Sequence, residues 1–216
     1  MFRFLDLSIR RHPRYAEVVS RLQNGQKFVD LGCCFGQEVR QLALEGVPPE
    51  NMCGMDLRQE FIDLGYDLFL DRDTLRSEMV GGVDVLDEEN SVLKKVEGEI
   101  DIVYTASFFH LFNWDQQVSI AKRVVKILKP QLGSMLFGRH SANLVAKHYS
   151  RRHILGQDVY RHNMESWENM WKQVGEETGT SWKAEAELYE HWSDLWKKMI
   201  AVDPNFRIMR FSVTRL

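Results

Sequence analysis

Asp30, Gly32 and Gly36 close the short apolar run of "KFVDLGCCFGQEV" (27–39), with Cys33 and Cys34 lying between the glycines. A glycine directly after a strand lets the backbone turn sharply and approach a ligand closely. A second acid, Asp56, ends the next apolar run, "NMCGMDL". It follows Gly32 at roughly the 20-residue spacing at which nucleotide-binding α/β folds place a ribose-binding carboxylate. An ordinary strand-to-helix turn would use the same glycines, and Asp56 is what tilts the balance toward a ligand. The cysteines at 33, 34 and 53 show no CxxC or Cys/His spacing suited to zinc and make no disulfide framework, so they read as reduced cytosolic thiols.

These residues need elements to hold them. "KFVDL" (27–31) predicts a buried strand, and "QEVRQLALEG" a helix with Val39, Leu42 and Ala43 on one face and Gly46 at its end. A turn at Pro48-Pro49 leads to a second strand ending near Asp56. Residues 58–78 predict helix and loop, with Phe61, Leu64, Leu68 and Phe69 at helical spacing, and "EMVGGVDVLD" offers a weak third strand broken by Gly81-Gly82. "EIDIVYTASF" (99–108) predicts a strand. "WDQQVSIAKRVVKILKP" predicts an amphipathic helix that turns Val118, Ala121, Val124, Val125 and Leu128 inward and stops before Pro130. "GSMLFGRH" reads as a fifth strand, "ESWENMWKQVGEETG" as a helix, and "SWKAEAELYEHW" and "FRIMRFSVTRL" as strands. Such alternation means an α/β layer with a largely parallel sheet, whose ligands sit beyond the carboxyl ends of the strands. The C-terminal helix and final strand fit an antiparallel addition at the sheet's edge.

Length and composition bound the alternatives. At 216 residues the chain suits one domain over 1–216, with a helical preface (1–26) before the first core strand. Apolar and charged fractions of 44% and 27% are those of an ordinary globular protein. A net charge of −3 leaves no electrostatic footprint for nucleic acid. No stretch approaches the roughly 18–20 uncharged apolar residues of a membrane span. Arg3, Asp6 and Arg10 interrupt the start, which lacks the long apolar stretch of a signal peptide, and a cytoplasmic protein is expected.

Two nucleotide classes compete for the opening motif. A dinucleotide dehydrogenase wants G-x-G-x-x-G, but Cys34 holds the middle position and no third glycine follows in register. Asp30 would repel a phosphate and suits a cationic amino-acid ligand. A ligand without phosphates but with an ammonium and a sulfonium, S-adenosylmethionine, fits better.

"FVDLGCCFG" resembles the first motif of class I S-adenosylmethionine-dependent methyltransferases, usually hhD/E-x-G-x-G-x-G, with Cys34 replacing the middle glycine. "CGMDLRQEF", "GGVDVLD", "DIVYTASFFHLF" and "LKPQLGSMLFGR" resemble, in order, their second-strand acid, third-strand acid, fourth-strand motif and the turn before the fifth strand. From about residue 4 onward the chain is similar to fungal secondary-metabolite methyltransferases of meroterpenoid pathways. "FLDLSIRRHPRYAEVVSRLQNGQ", "ASFFHLF" and "YRHNMESWENMWKQVGEETGT" carry that likeness. The resemblance implies a Rossmann-like, mostly parallel seven-stranded sheet with an antiparallel C-terminal strand and helices on both faces. It also implies a homodimer, and a shortened start relative to a family whose N-terminal segment helps cover the active site.

By the same resemblance, Asp30, Gly32, Cys33 and Gly36 would shape the loop around the cofactor's methionine part. Asp56 would bind the ribose hydroxyls with Leu57 beside the adenine, Asp84 and Val85 would meet the adenine edge, and Ala106 and Ser107 would face the methionyl end. The solvated-loop alternative for Asp84 stays open, because Asp87, Glu88 and Glu89 are close neighbours.

On the acceptor side, His110 follows the fourth strand, where a general base would reach a substrate; a packing role is the alternative. Residues 138–163 are dense in Arg and His and are expected to form a lid insert after the fifth strand. Within it Arg139, Arg151, Arg152 and Arg161 are candidate clamps for a carboxylate, or solvated loop cations. Of these, Arg139, Arg152 and Arg161 are taken as the substrate-binding set. The tryptophans at 167, 171, 182, 192 and 196 fit helix packing better than an aromatic cage.

A carboxylate is already ionised near pH 7, whereas a phenol, with a pKa near 10, would need His110 or His162 as base. The resemblance implies methylation of a carboxyl group on a small polyketide or meroterpenoid acid, a reaction that needs no strong base. A phenol O- or C-methyltransferase and a non-catalytic binding protein of the same fold remain as alternatives.

Overall fold

The computed structural model describes residues 6–150, 156–190 and 194–216. Its frame is a seven-stranded sheet in the order β3-β2-β1-β4-β5-β9-β8. Strand β1 (Phe28–Leu31) is buried throughout and runs parallel to β2 (Met52–Met55) on one side and β4 (Ile102–Ala106) on the other. β3 (Glu78–Val80) extends the sheet beyond β2, and β5 (Met135–Asn143) beyond β4, both in parallel. β9 (Phe206–Arg215) inserts antiparallel between β5 and the edge strand β8 (Trp182–Tyr189). Strand order reverses between β1 and β4, which opens the crevice where α/β sheets take their ligands.

Helices cover both faces. On one, Val18 and Leu22 of α1 (Tyr15–Gln23) and Val39 and Leu42 of α2 (Gln37–Leu44) pack with Ile9, Phe28, Ile102, Tyr104 and Phe137. On the other, α4 (Ser91–Lys95), α5 (Trp114–Ile127) and α6 (Met164–Thr178) cover Val29, Leu31, Val103 and Leu136. Helix α5 starts in a capping box made by Asn113 and Gln116, and it buries Val118, Ala121, Val124 and Val125 as its spacing predicts. Trp167 and Trp171 are core residues of α6. Trp182 packs on Trp171, and Trp196 of α7 (Asp194–Val202) joins Phe206 in a separate cluster. These tryptophans therefore assemble no cage; Trp192 lies outside the described residues.

Two elements differ from a local reading of the sequence. Helix α3 (Gln59–Phe69) docks through Ile62 and Gly65, while Phe61, Leu64 and Leu68 remain 39%, 52% and 50% exposed. Gly65 packs so closely on the Phe35 carbonyl that no side chain fits there. Strand β5 continues to Asn143, into the segment expected to be lid, because β9 pairs with it along its whole length from Met135↔Thr214 to Asn143↔Phe206. Beyond it, β6 (Lys147–Ser150) and β7 (Asp158–Arg161) form a separate antiparallel hairpin. Among the described residues no helix is long and apolar enough to cross a membrane.

Candidate cofactor and acceptor site

The turn after β1 is built from left-handed residues. Gly32 (φ 80°), Cys34 (φ 53°) and Gly36 (φ 69°) alternate with ordinary backbone, and Gly36 caps the start of α2. The amides of Gly32 and Cys33 both donate to the Met55 carbonyl, at 2.8 and 3.0 Å, which folds the turn over the end of β2. A Cβ on Gly32 would stand 2.6 Å from the ring of Phe108, and one on Gly54 would stand 2.6 Å from the Met79 sulfur. The crevice therefore closes on backbone at these glycines.

Asp56 ties the neighbouring loops together. Its Oδ2 accepts from Cys34 N at 2.8 Å and its Oδ1 from Arg58 N at 2.9 Å. Its own amide donates to the Val80 carbonyl, and its carbonyl accepts from Val83 N. Asp84 follows, half-buried, with Oδ1 accepting from Leu86 N at 2.9 Å; Val85 is buried beside it and Leu57 is exposed. On the β4 side, Ser107 also has a left-handed backbone (φ 56°), held by a 2.7 Å bond from its amide to the Arg139 carbonyl. Asp30, Gly32, Cys33, Gly36, Asp56, Leu57, Asp84, Val85, Ala106 and Ser107 are thus brought to one edge of the sheet.

Asp30 stands out within that edge. It pairs across the sheet with Gly54 and Tyr104, it is almost fully buried, and its Oδ2 has no partner. Burial, reinforced by Glu38 and Asp56, raises its pKa well above the usual carboxylate value. A buried acceptor without a donor is costly unless a ligand supplies one. Gln37, the first residue of α2, also has a buried and unpartnered Oε1. Both orphaned oxygens suit the ammonium of an amino-acid-bearing ligand, so these residues fit S-adenosylmethionine. Burial also pushes the Cys33, Cys34 and Cys53 thiols up, the last to about 12, so all three stay protonated. Among the described residues no group of three or more His, Cys, Asp or Glu is arranged to hold a metal.

Sequence reading missed Glu38. It is buried in α2 and accepts from the Ser8 amide and hydroxyl, both at 2.8 Å, and from the Ile9 amide at 3.3 Å. Ser8 in turn bonds the Tyr104 hydroxyl at 2.7 Å. The only advance sign was an acid in a helix's first turn, which by itself indicates favourable interaction with the helix dipole and nothing more.

The acceptor-side candidates are dispersed. His110 lies in a 3-10 turn (Phe109–Leu111) just past β4, and its Nδ1 accepts from Ser141 N at 3.4 Å. Arg139, in β5, sits beside Ala106, pairs with Asp6 at 2.9 Å, and opens on a cavity of about 210 Å³ lined also by Ser8, His12, Tyr189 and Arg210. Arg161 is buried at the end of β7 between the Tyr149 and Phe206 rings and lies 3.7 Å from Asp203, joining the hairpin to the approach of β9. Arg152 lies outside the described residues. His162 is 1% exposed; its Nε2 meets Gln117 Oε1 at 3.0 Å and its Nδ1 meets Ser166 Oγ at 2.9 Å. The Gln117 amide nitrogen already donates to the Phe112 and Tyr160 carbonyls, so Oε1 accepts and the His162 proton is on Nε2. Burial lowers the pKa of His162 to about 3.

Strand order, the left-handed turn after β1 and the acid at the end of β2 define the fold of class I S-adenosylmethionine-dependent methyltransferases. Solved structures agree at the level of fold. Haemonchus contortus phosphoethanolamine N-methyltransferase 2 matches 92% of this chain and 51% of its own (TM-score 0.66, 16% identity). An S-adenosylmethionine-dependent methyltransferase from Mesorhizobium loti matches 96% of this chain and 100% of its own (TM-score 0.59, 14% identity). The chain belongs to a family of fungal secondary-metabolite methyltransferases. It is 37% identical to methyltransferase ausD of Penicillium brasilianum over 100% of this chain and 75% of that protein. It is 53% identical to O-methyltransferase phiE of Fungal sp. (strain ATCC 74256) over 85% of its length, and 40% identical to the Asnovolin E/Chermesin D methyltransferase nvfJ of Aspergillus novofumigatus over 88%. It spans 61% and 66% of those two proteins. No family model matches the chain.

Proposed function

We propose that this chain is an S-adenosylmethionine-dependent O-methyltransferase that esterifies a carboxyl group of a small polyketide- or terpenoid-derived acid. The carrying observation is the buried, unpartnered Asp30 Oδ2 beneath the left-handed turn. Asp30 takes the cofactor's ammonium, Asp56 its ribose hydroxyls beside Leu57, Asp84 and Val85 the adenine edge, and Ala106 and Ser107 the methionyl end. When bound, the cofactor supplies a methyl group on a sulfonium, an electrophile that an anionic oxygen attacks without prior proton loss. The chain's task is then to align the acceptor and exclude water, and such positioning contributes roughly 7–11 kcal/mol. Arg139, at the β4 edge, is the cation assigned to the acceptor carboxylate.

Support for a carboxylate over a phenol comes from His162, whose ring nitrogens are both engaged and which sits almost entirely out of solvent. One relative is named an Asnovolin E/Chermesin D methyltransferase, which supports a small-molecule acceptor. The three free thiols suit a cytoplasmic setting, and a homodimer is the expected state, to be checked by sedimentation.

Calorimetry with S-adenosylmethionine is expected to show binding that Asp56→Ala weakens about tenfold or more, since one carboxylate loses its ribose bonds and the Cys34 anchor together. Absence of binding to the wild-type chain rejects the reading. Transfer of labelled methyl to a panel of aryl and terpenoid acids then follows. An ester releases methanol in mild alkali, whereas an aryl ether does not. Cofactor binding without a methylated product would favour the non-catalytic alternative.

A further inference from the structure

Three carboxyl groups act on one another where β1 runs into the left-handed turn, and hydrogen bonding divides them unequally. Glu38, on α2, accepts from the Ser8 amide and hydroxyl and from the Ile9 amide. Asp56, after β2, accepts from the amides of Cys34 and Arg58. Asp30, in β1, is 1% exposed, and its Oδ2 has no donor. Donors to a carboxylate favour its charged form, whereas burial without them favours the neutral acid.

Among the described residues, the charges that act on Asp30 are Glu38 and Asp56, both acids. The other titratable groups around it are the thiols of Cys33 and Cys34 in the turn and of Cys53 in β2, and the hydroxyl of Tyr104 in β4. Burial holds all four protonated. Arg139 acts on Glu38 and Tyr104 and pairs with Asp6. A lone carboxylate is so costly to take out of water that such a group takes up a proton instead. An ammonium against Oδ2 inverts that balance, because it brings a positive charge and N–H donors together. It gains far more from a carboxylate than from a neutral acid, and the proton is driven off.

We propose that Asp30 carries a proton before the cofactor binds and loses it to solvent as the ammonium of S-adenosylmethionine arrives, so that binding releases one proton. This rests on the cofactor assignment above. The Asp30 O–H bond breaks, the proton passes to water or buffer, and an ammonium N–H donates to the carboxylate left behind. Glu38 and Asp56 keep their donors and take no part. Asp30 thereby responds to the charged amino-acid end of the ligand. Acidification weakens binding, and Kd rises by up to about tenfold per pH unit while the unliganded acid is protonated.

Calorimetry at about pH 6.5, where an α-amino group is mostly ammonium, counts the protons when run in two buffers of very different ionisation enthalpy. S-adenosylmethionine is expected to release about one proton per molecule bound, and 5′-methylthioadenosine, which lacks the amino-acid part, close to none. Asp30→Asn, a neutral mimic of the protonated acid, should bind S-adenosylmethionine without releasing a proton. Wild-type heats that do not depend on the buffer overturn the proposal. So does equal release with methylthioadenosine, or release that persists in Asp30→Asn, because the proton then belongs to another group. Should Asp30→Asn fail to fold, the comparison of the two ligands decides alone. Infrared spectroscopy reads Asp30 with no ligand added: a protonated-carboxyl band at neutral pH is expected in the wild type, lost in Asp30→Asn, and its absence from the wild type overturns the proposal. Failure of S-adenosylmethionine to bind in either buffer rejects the cofactor reading and this proposal with it, an outcome distinct from binding without proton release.

Discussion

Cys34 holds a left-handed backbone, φ 53°, at the position where the family motif has a glycine, and its amide is clamped to Asp56. An L-residue there costs about 1–2 kcal/mol that glycine avoids. Cys34→Gly is therefore expected to be more stable than Cys34→Ala by about 1 kcal/mol, which moves the melting temperature of a 216-residue chain by about 2–4 °C in calorimetry. At this scale the left-handed turn was legible at Gly32 and Gly36, because a sharp turn after a strand is a local backbone demand, and Asp56 was legible as the acid that closes the second apolar run. The state of His162 was not. Its neutrality comes from burial and its tautomer from Gln117 of α5, both of which only the fold supplies. Glu38 escaped for the same reason, since its donors come from residues 8 and 9.

Among the elements, the 3-10 turn at Ser8–Arg11 is joined to α2 by the buried carboxylate of Glu38. Glu38→Ala would leave two buried amides without an acceptor and is expected to cost about 2–3 kcal/mol in urea unfolding. Glu38→Gln keeps one acceptor oxygen and should cost about 1 kcal/mol. Strand β1 and helix α5 could be read directly, the first from its continuous burial and the second from a 3.6-residue stripe with a cap and a proline stop. The length of β5 could not, because β9 sets it from more than 60 positions away. The docking of α3 was equally hidden. Its leucines suggest a buried stripe, but a helix can approach the Phe35 carbonyl only through the bare backbone of Gly65.

Across the molecule, buried histidines make stability depend on pH. Burial lowers the pKa of His12 to about 4 and that of His162 to about 3, from 6.5 when exposed. Between pH 6.5 and those values the unfolded chain binds protons that the folded chain refuses, so stability falls as pH drops through that window. Each histidine contributes a slope of up to about 1.4 kcal/mol per pH unit. Asp30 and Glu38 act in the opposite sense: their raised pKa values mean that acidification relieves the burial of their charge. A difference measurement separates the two effects. His12→Asn should flatten the stability profile between pH 6.5 and 4 by up to about 1.4 kcal/mol per unit relative to wild type, followed by denaturant titration at each pH.

The position of β9 also has a consequence for synthesis. It follows every other strand of the sheet in the chain, yet it lies inside the sheet, between β5 and β8. As the chain leaves the ribosome, β8 has no partner and β5 keeps an open edge until β9 emerges, although the left-handed turn at residues 32–36 was made long before. A nascent chain can therefore have its first turn shaped while one flank of its sheet is still an unpaired, aggregation-prone ribbon. The interval between translation of β5 and of β9 is when that flank of the sheet stands without its partner.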